Sequence, residues 1–290
     1  MRISDLLSRR MAYAVAVKSM RATDQYFESG GNRLRFRDAG RGMALVFIHG
    51  WTLDLDAWEP QAVELSRAFR VLRYDRRGFG LSSGRPSICD DTMDLLSLLD
   101  RLALAQAAVV GMSQGARVAL SAALIAPHRI SSLILDGPPN LRVASESGAD
   151  EDLPLAHYRD LVRTAGIDAF RSEWQNHPFV RLRTADPDAR ALLARMIARY
   201  PGRDLADPPP STGAPLDARS LAALRNPVLI INGEYDTDAR KAAGEALCRM
   251  VPRAQRTLVA HAGHLANLDN PHAYNETIRG FLQRQAGAAA

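Results

Sequence analysis

Lysine is nearly missing from this chain. Lys18 and Lys241 stand alone among 37 basic residues, so the other 35 are arginines. Set against 32 acidic residues, they leave a formal charge of only +5 over 290 residues. The first 40 residues hold eight basic and four acidic side chains, which accounts for most of that excess. No basic stripe and no reading module for bases accompanies it, which argues against a nucleic-acid partner. Cysteine is as scarce. Cys89 and Cys248 lie far apart and show no metal-ligand spacing, so a disulfide scaffold is excluded and a reducing compartment, the cytoplasm, is expected. Long apolar runs are lacking too. The longest near the start, Met11 to Val17, stops at Lys18 and is too short for a bilayer, so no stable membrane insertion is expected. Arg9 and Arg10 precede it, but no small-residue cleavage site follows, and residues 1–22 read as an amphipathic helical extension rather than a secretion signal.

What is present is an ordinary soluble composition, 47% hydrophobic and 24% charged. Strand-like segments alternate with helical ones, the pattern of a mostly parallel sheet covered on both faces. The strands are expected at Gln25–Glu28 and Arg33–Arg37 around a Gly30-Gly31-Asn32 hairpin, then at Ala44–Ile48, Val71–Tyr74, Ala107–Val110 and Ile130–Leu135. Val228–Ile231 and Arg256–Val259 complete eight. Helices are expected at Asp91–Ala105, on a stripe of leucines, at Gln114–Ala126, at Arg240–Met250 and from Pro271 to Gln285. Residues 140–215 break the alternation with helical stretches and end in Pro208-Pro209-Pro210. They read as a helical cap inserted in a core of residues 23–139 and 216–286, with 287–290 a frayed tail.

Gly111-Met112-Ser113-Gln114-Gly115 lies between an apolar strand and a helix. A tight strand-to-helix turn has no room for side chains at the glycines, and it lifts the serine hydroxyl above the sheet beside the first N–H groups of the helix. A hydroxyl is a weak nucleophile and needs a base that is itself oriented by an acid. His264, in the loop before the last helix, is the preferred base, with His261 the rival. Asp236, directly after a late strand, is the preferred acid. Asp238 reads as the cap of the next helix, and Asp136 could act from the neighbouring strand. The backbone N–H groups of Gln114 and of Trp51, in His49-Gly50-Trp51, would bind an oxyanion.

Assembled, these residues resemble the α/β-hydrolase superfamily, in its capped, epoxide-hydrolase-like, enol-lactonase-like and esterase branch. The resemblance spans about Tyr26 to Phe281 and includes Asp75-Arg76-Arg77-Gly78-Phe79-Gly80 and Gly233-Glu234-Tyr235-Asp236. It implies an α/β fold with an eight-stranded, mostly parallel sheet, a helical cap and a Ser113, Asp236, His264 triad. It also implies Trp51 and Gln114 as oxyanion donors, and neither metal nor organic cofactor. One departure stands out: Ala116 replaces a glycine the family often has, with Arg117 behind it, while Ser113 sets aside the family's epoxide hydrolases and haloalkane dehalogenases, which place an aspartate at the elbow. Met112 and Leu265 occupy places where ring-cleavage hydrolases of the family often carry asparagine and tryptophan.

The substrate implied is a small or medium ester, thioester or lactone. A carbon–carbon hydrolase, an amidase and a non-catalytic small-molecule receptor are the alternatives. His49, Arg117, Phe170, Trp174 and Phe179 are candidate pocket residues. For His49 a hydrogen-bonded loop role competes, for Arg117 a solvent-facing one, and for the three aromatics core packing. Ten basic against eleven acidic residues between Leu141 and Pro215 give the cap no strong preference for anions. The oligomeric state stays open, a homo-oligomer included.

Overall fold

The computed structural model describes residues 22–139, 153–207 and 216–289. The expected N-terminal helix falls outside them, as do both ends of the expected cap. Eight strands, β1 (Gln25–Ser29), β2 (Asn32–Ala39), β3 (Ala44–Ile48), β4 (Arg70–Tyr74), β5 (Ala107–Met112), β6 (Ile130–Asp136), β7 (Val228–Gly233) and β8 (Ala254–Val259), form one sheet. Its order is β1-β2-β4-β3-β5-β6-β7-β8. The pairs β1–β2 and β2–β4 are antiparallel and the rest are parallel, so the sheet is mostly parallel, with the hairpin at its edge, as expected.

Side-chain alternation explains why both faces are covered. Along β3, Leu45 and Phe47 enter one apolar cluster while Ala44, Val46 and Ile48 enter the other. Helices α1 (Glu59–Leu65), α2 (Ile88–Arg101), α3 (Gln114–Ile125), α8 (Ala218–Ala223), α9 (Asp238–Met250) and α11 (Pro271–Ala289) flank the sheet, with a short α10 (Ala266–Asp269) before the last. Between β6 and β7 the described residues hold helices only: α4 (Leu155–Ala165), α5 (Ile167–Trp174), a single turn at Pro178–Val180, α6 (Pro187–Arg199) and α7 (Arg203–Ala206). This is the inserted helical cap.

Three boundaries differ from expectation. The α2 helix starts earlier, where the Ser87 hydroxyl accepts the Asp90 N–H, and ends at Arg101 before Ala103 turns to φ +52°. Leu102 and Leu104 still pack on the core beyond it, so the leucine stripe outlasts the helix. Thr237, not Asp238, caps α9. The tail expected to fray from 287 is helical through Ala289, since alanines favour the helix and Gly287 costs only about 1 kcal/mol.

Candidate active site

The end of β5 delivers Ser113 at φ +51° and ψ −114°, a conformation costly for a non-glycine residue. Its glycine neighbours make the turn feasible. A Cβ at Gly111 would collide with the Gly115 carbonyl, and one at Gly115 with the carbonyl of Ile48. Helix and sheet therefore touch backbone to backbone. The side chain of Ser113 makes no hydrogen bond among the described residues and faces a cavity that His264 also lines.

His264 reaches that cavity from the loop after β8. Its Nδ1 lies 3.0 Å from Asp236 Oδ1, both side chains being buried. Asp236 follows β7 and accepts N–H groups from Thr237, at 2.9 Å, and from Asn232 Nδ2, at 3.3 Å. Burial pushes its carboxyl up, but His264 and these donors outweigh that and hold it below the usual carboxylate range. Nδ1 therefore carries the proton towards an ionised acid, leaving Nε2 as the lone pair. Gly137, at φ +52°, leaves room for the ring: a Cβ there would sit 2.7 Å from Cε1 and 2.9 Å from Nδ1. Neither Asn232 nor Gly137 figures among the sequence-derived site residues.

The rivals are placed elsewhere. His261 is exposed, with its backbone N–H bound to Glu234 Oε2 at 2.8 Å. Asp136 is fully buried beside Tyr274, burial raises its carboxyl well above the normal range, and His264 hydrogen-bonds Asp236 rather than it. Asp238 is exposed and pairs with Lys241 at 3.0 Å.

The N–H of Gln114 opens α3, and neither it nor the N–H of Trp51 has a hydrogen-bond acceptor among the described residues. Arg76 fixes this corner by binding Gln114 Oε1 at 3.1 Å and Asp91 at 2.8 Å. Its own N–H donates to His49 Nε2 at 2.9 Å, while His49 Nδ1 donates to the Gly50 carbonyl at 2.8 Å. Burial, reinforced by Arg76, drives the His49 pKa far down. A neutral His49 with both nitrogens committed is a brace for the loop, not a wall of the pocket.

Two more pocket expectations need correction. Phe170 does not reach the cavity. It packs on Trp51 (5.7 Å between centroids), Trp174 and Tyr158. Arg117 is half-buried on α3, away from the cavity, because the residues between it and Ser113 turn it out along the helix. Trp174 and Phe179 do line the cavity, together with Trp51, Leu53, Met112, Leu153, Val180 and Leu265. The space enclosed is about 20 Å³, little more than one water molecule occupies.

The cap holds down this roof by polar contacts that the sequence does not announce. Trp51 Nε1 donates to Asp204 at 2.5 Å and Trp174 Nε1 to the Thr52 hydroxyl at 2.8 Å. Arg199 bridges Asp54 and Asp56, both at 2.7 Å. Asp269 accepts from Gly263, in the histidine loop, and from the backbone of Arg183 and Thr184. Arg240 is buried with its guanidinium over Phe179, 4.7 Å from the ring.

Residues 44–271 match the family model described as alpha/beta hydrolase fold. The chain belongs to the α/β-hydrolase family. Within that family it is similar to a pimeloyl-[acyl-carrier protein] methyl ester esterase of Nitrosomonas europaea, 26% identical over 83% of this chain and 96% of the relative. It is also similar to a 2-hydroxymuconate semialdehyde hydrolase of Pseudomonas sp., 27% identical over 90% of this chain and 94% of the relative. Among solved structures, the enol-lactonase of Burkholderia xenovorans superposes with a TM-score of 0.76 at 26% identity, covering 89% of this chain and all of that one. No helix among the described residues of this α/β-hydrolase is long and apolar enough to cross a membrane.

Proposed function

We propose that the protein is a serine hydrolase that cleaves a small or medium ester, thioester or lactone through an acyl-enzyme. The observation that carries this reading is the buried Asp236–His264 contact, at 3.0 Å, with His264 lining one cavity together with Ser113 of the elbow. The esterase and enol-lactonase among its relatives support the choice of substrate class.

His264 Nε2 takes the Ser113 proton as Oγ attacks the carbonyl carbon. Asp236 holds the Nδ1–H tautomer and stabilises the imidazolium. The N–H groups of Trp51 and Gln114 receive the oxyanion, each contributing on the order of 3 kcal/mol to the barrier reduction. The protonated His264 then delivers its proton to the leaving oxygen or sulfur. Water, deprotonated by the same imidazole, attacks the acyl-serine and frees the acid. In this reading the core is residues 23–139 and 216–286, the cap is 140–215, and 1–22 is an appended helix. A cytoplasmic location fits two free cysteines, one of them exposed.

Stopped-flow hydrolysis of nitrophenyl butyrate tests the reading. A burst of nitrophenol equal to the enzyme concentration, followed by slower turnover, is expected. Stoichiometric binding of the ester without nitrophenol release would replace the hydrolase by a receptor.

A further inference from the structure

The cavity at Ser113 is not the largest hollow in the molecule. A groove of about 690 Å³ runs between α5 and α6 on the cap. That volume lies in the range of small-molecule sites, and no step of the reaction above uses it. Val180 belongs to both hollows, lining the cavity on one side and the groove on the other. The preceding residue, Phe179, lies against the imidazole of His264 with ring centroids 4.4 Å apart.

The position relative to His264 decides which part of a substrate the groove faces. The leaving group departs on the side of the imidazole that protonates it. Phe179 lies on the face of that imidazole, and its neighbour Val180 forms the wall that the cavity shares with the groove. Its walls combine two chemistries. Leu182, Leu193 and Ile197 give an apolar floor, and Arg171, Arg181 and Arg190 stand around it. Arg171 is spent, bound to Asp168 at 2.8 Å and to the Tyr200 carbonyl at 2.7 Å. Arg190 uses only Nε, on the Thr184 carbonyl at 3.0 Å. Neither Arg190 nor Arg181 has an ion-pair partner among the described residues. Asp168, the acid described in the lining, is already neutralised by Arg171. The near-even charge of the cap as a whole therefore hides a local excess of two cations.

We propose that this groove binds the far end of the leaving group, and that this end is an anion carried on an apolar chain. The substrate class is then an ester whose alcohol ends in a carboxylate or a phosphate. This deepens the hydrolase reading and rests on it for the chemistry, though not for the binding. The cleavage itself is ordinary: the acyl–oxygen bond breaks, the alcohol oxygen takes the proton from His264, and water supplies hydroxide to the acyl group.

The test compares butyryl esters of hexanol, hydroxyhexanoate and hydroxyhexyl phosphate on the wild type and on R181Q/R190Q. The readout is the ratio of kcat/KM for each anionic ester to that for the hexyl ester, so a general loss of activity cancels. Two exposed charge contacts predict a ratio of about fivefold in the wild type, falling towards one in the double variant and at high salt. The carboxylate and phosphate arms show which anion is preferred. A wild-type ratio of one, or a ratio that the double variant keeps, overturns the proposal while leaving the hydrolase intact. If the double variant fails to fold, R181Q and R190Q are read singly by the same ratio. If no ester is cleaved, the hydrolase reading fails, and calorimetry with free hydroxyhexanoate and hydroxyhexyl phosphate decides the groove alone. Binding lost in R181Q/R190Q then supports it, and no binding to the wild type overturns it.

Discussion

Phe179 of the cap lies on the imidazole of His264, with ring centroids 4.4 Å apart. One aromatic side chain thus joins the element that roofs the site to the residue proposed as its base. With Trp174 and Val180 it reduces the space above Ser113 to about 20 Å³. An ester larger than a few atoms can enter only if this roof shifts. Phe179→Leu keeps an apolar contact but removes the flat ring, and its stability loss should stay near 1 kcal/mol. In a series of acetate esters, kcat/KM for the hexyl and octyl alcohols should rise relative to methyl. An unchanged chain-length profile would show that Phe179 does not limit entry.

Gly137 tests how closely His264 is held. A methyl group there would press on Cε1 and Nδ1 from a backbone at φ +52°. Gly137→Ala should lower kcat by about 10- to 100-fold by displacing the base, since small misplacements of reacting groups cost this much. KM should move far less. Steady-state kinetics with a circular dichroism check for folding separates this from global damage, and wild-type kcat in a folded variant would refute the assignment.

Asp236 is expected to orient and stabilise the imidazole without itself taking a proton. Asp236→Asn keeps the shape but favours the wrong tautomer, and kcat should fall about 10⁴-fold. Asp136→Asn should leave kcat within a few-fold, because the imidazole of His264 is bound to Asp236 and not to that carboxyl. The reverse ranking, measured under saturating ester, would move the acid to β6.

A pH dependence of stability follows from Asp91. Burial pushes its carboxyl up to about 6, although Arg76 is bound to it at 2.8 Å. A folded-state value above the unfolded one stabilises the native state most below about pH 4, and this contribution is lost as pH rises towards about 6. Asp91 should therefore lower unfolding free energy by about 1.4 kcal/mol per pH unit across that window. Asp75, also raised to about 6, shares it. In Asp91→Asn the slope in urea unfolding between these pH values should be shallower by that amount, with lower stability at neutral pH because Arg76 loses its partner. An unchanged slope would contradict the assignment.

The positions of the strands along the chain and the elbow were readable from the sequence because each rests on a local constraint. A short continuous apolar run bounded by turn residues marks a strand covered on both faces, as at Ala44–Ile48, and Gly111 and Gly115 have no room for a Cβ. The same holds for Asp236 and His264, which follow strands in loops whose position the sheet fixes. The cap was readable only as helical. Phe170, Trp174 and Phe179 look equivalent in a linear chain, yet Phe170 and Trp174, one turn apart on the same face of α5 and stacked on each other, differ in reach: only Trp174 extends from the aromatic cluster to the cavity. Arg240 and Asn232 escaped notice because nothing local distinguishes a buried polar side chain from an exposed one. Their places depend on contacts between β7, α9 and the cap. His49 was readable as a loop brace because its neighbour Gly50 brings a carbonyl within reach of Nδ1. The charge of the cap nearly cancels in a count, ten bases against eleven acids, whereas the described groove lining sets three arginines against one acid, Asp168, a local difference that no count shows.

The central claim is that Ser113 is an activated nucleophile open to reagents. Intact-mass analysis after incubation with a small fluorophosphonate tests it directly, on the wild type and on Ser113→Ala. The account predicts one phosphonyl adduct on the wild type, none on the variant, and loss of ester hydrolysis in parallel. A folded wild-type protein that stays unmodified, or an adduct that survives in Ser113→Ala, would contradict it.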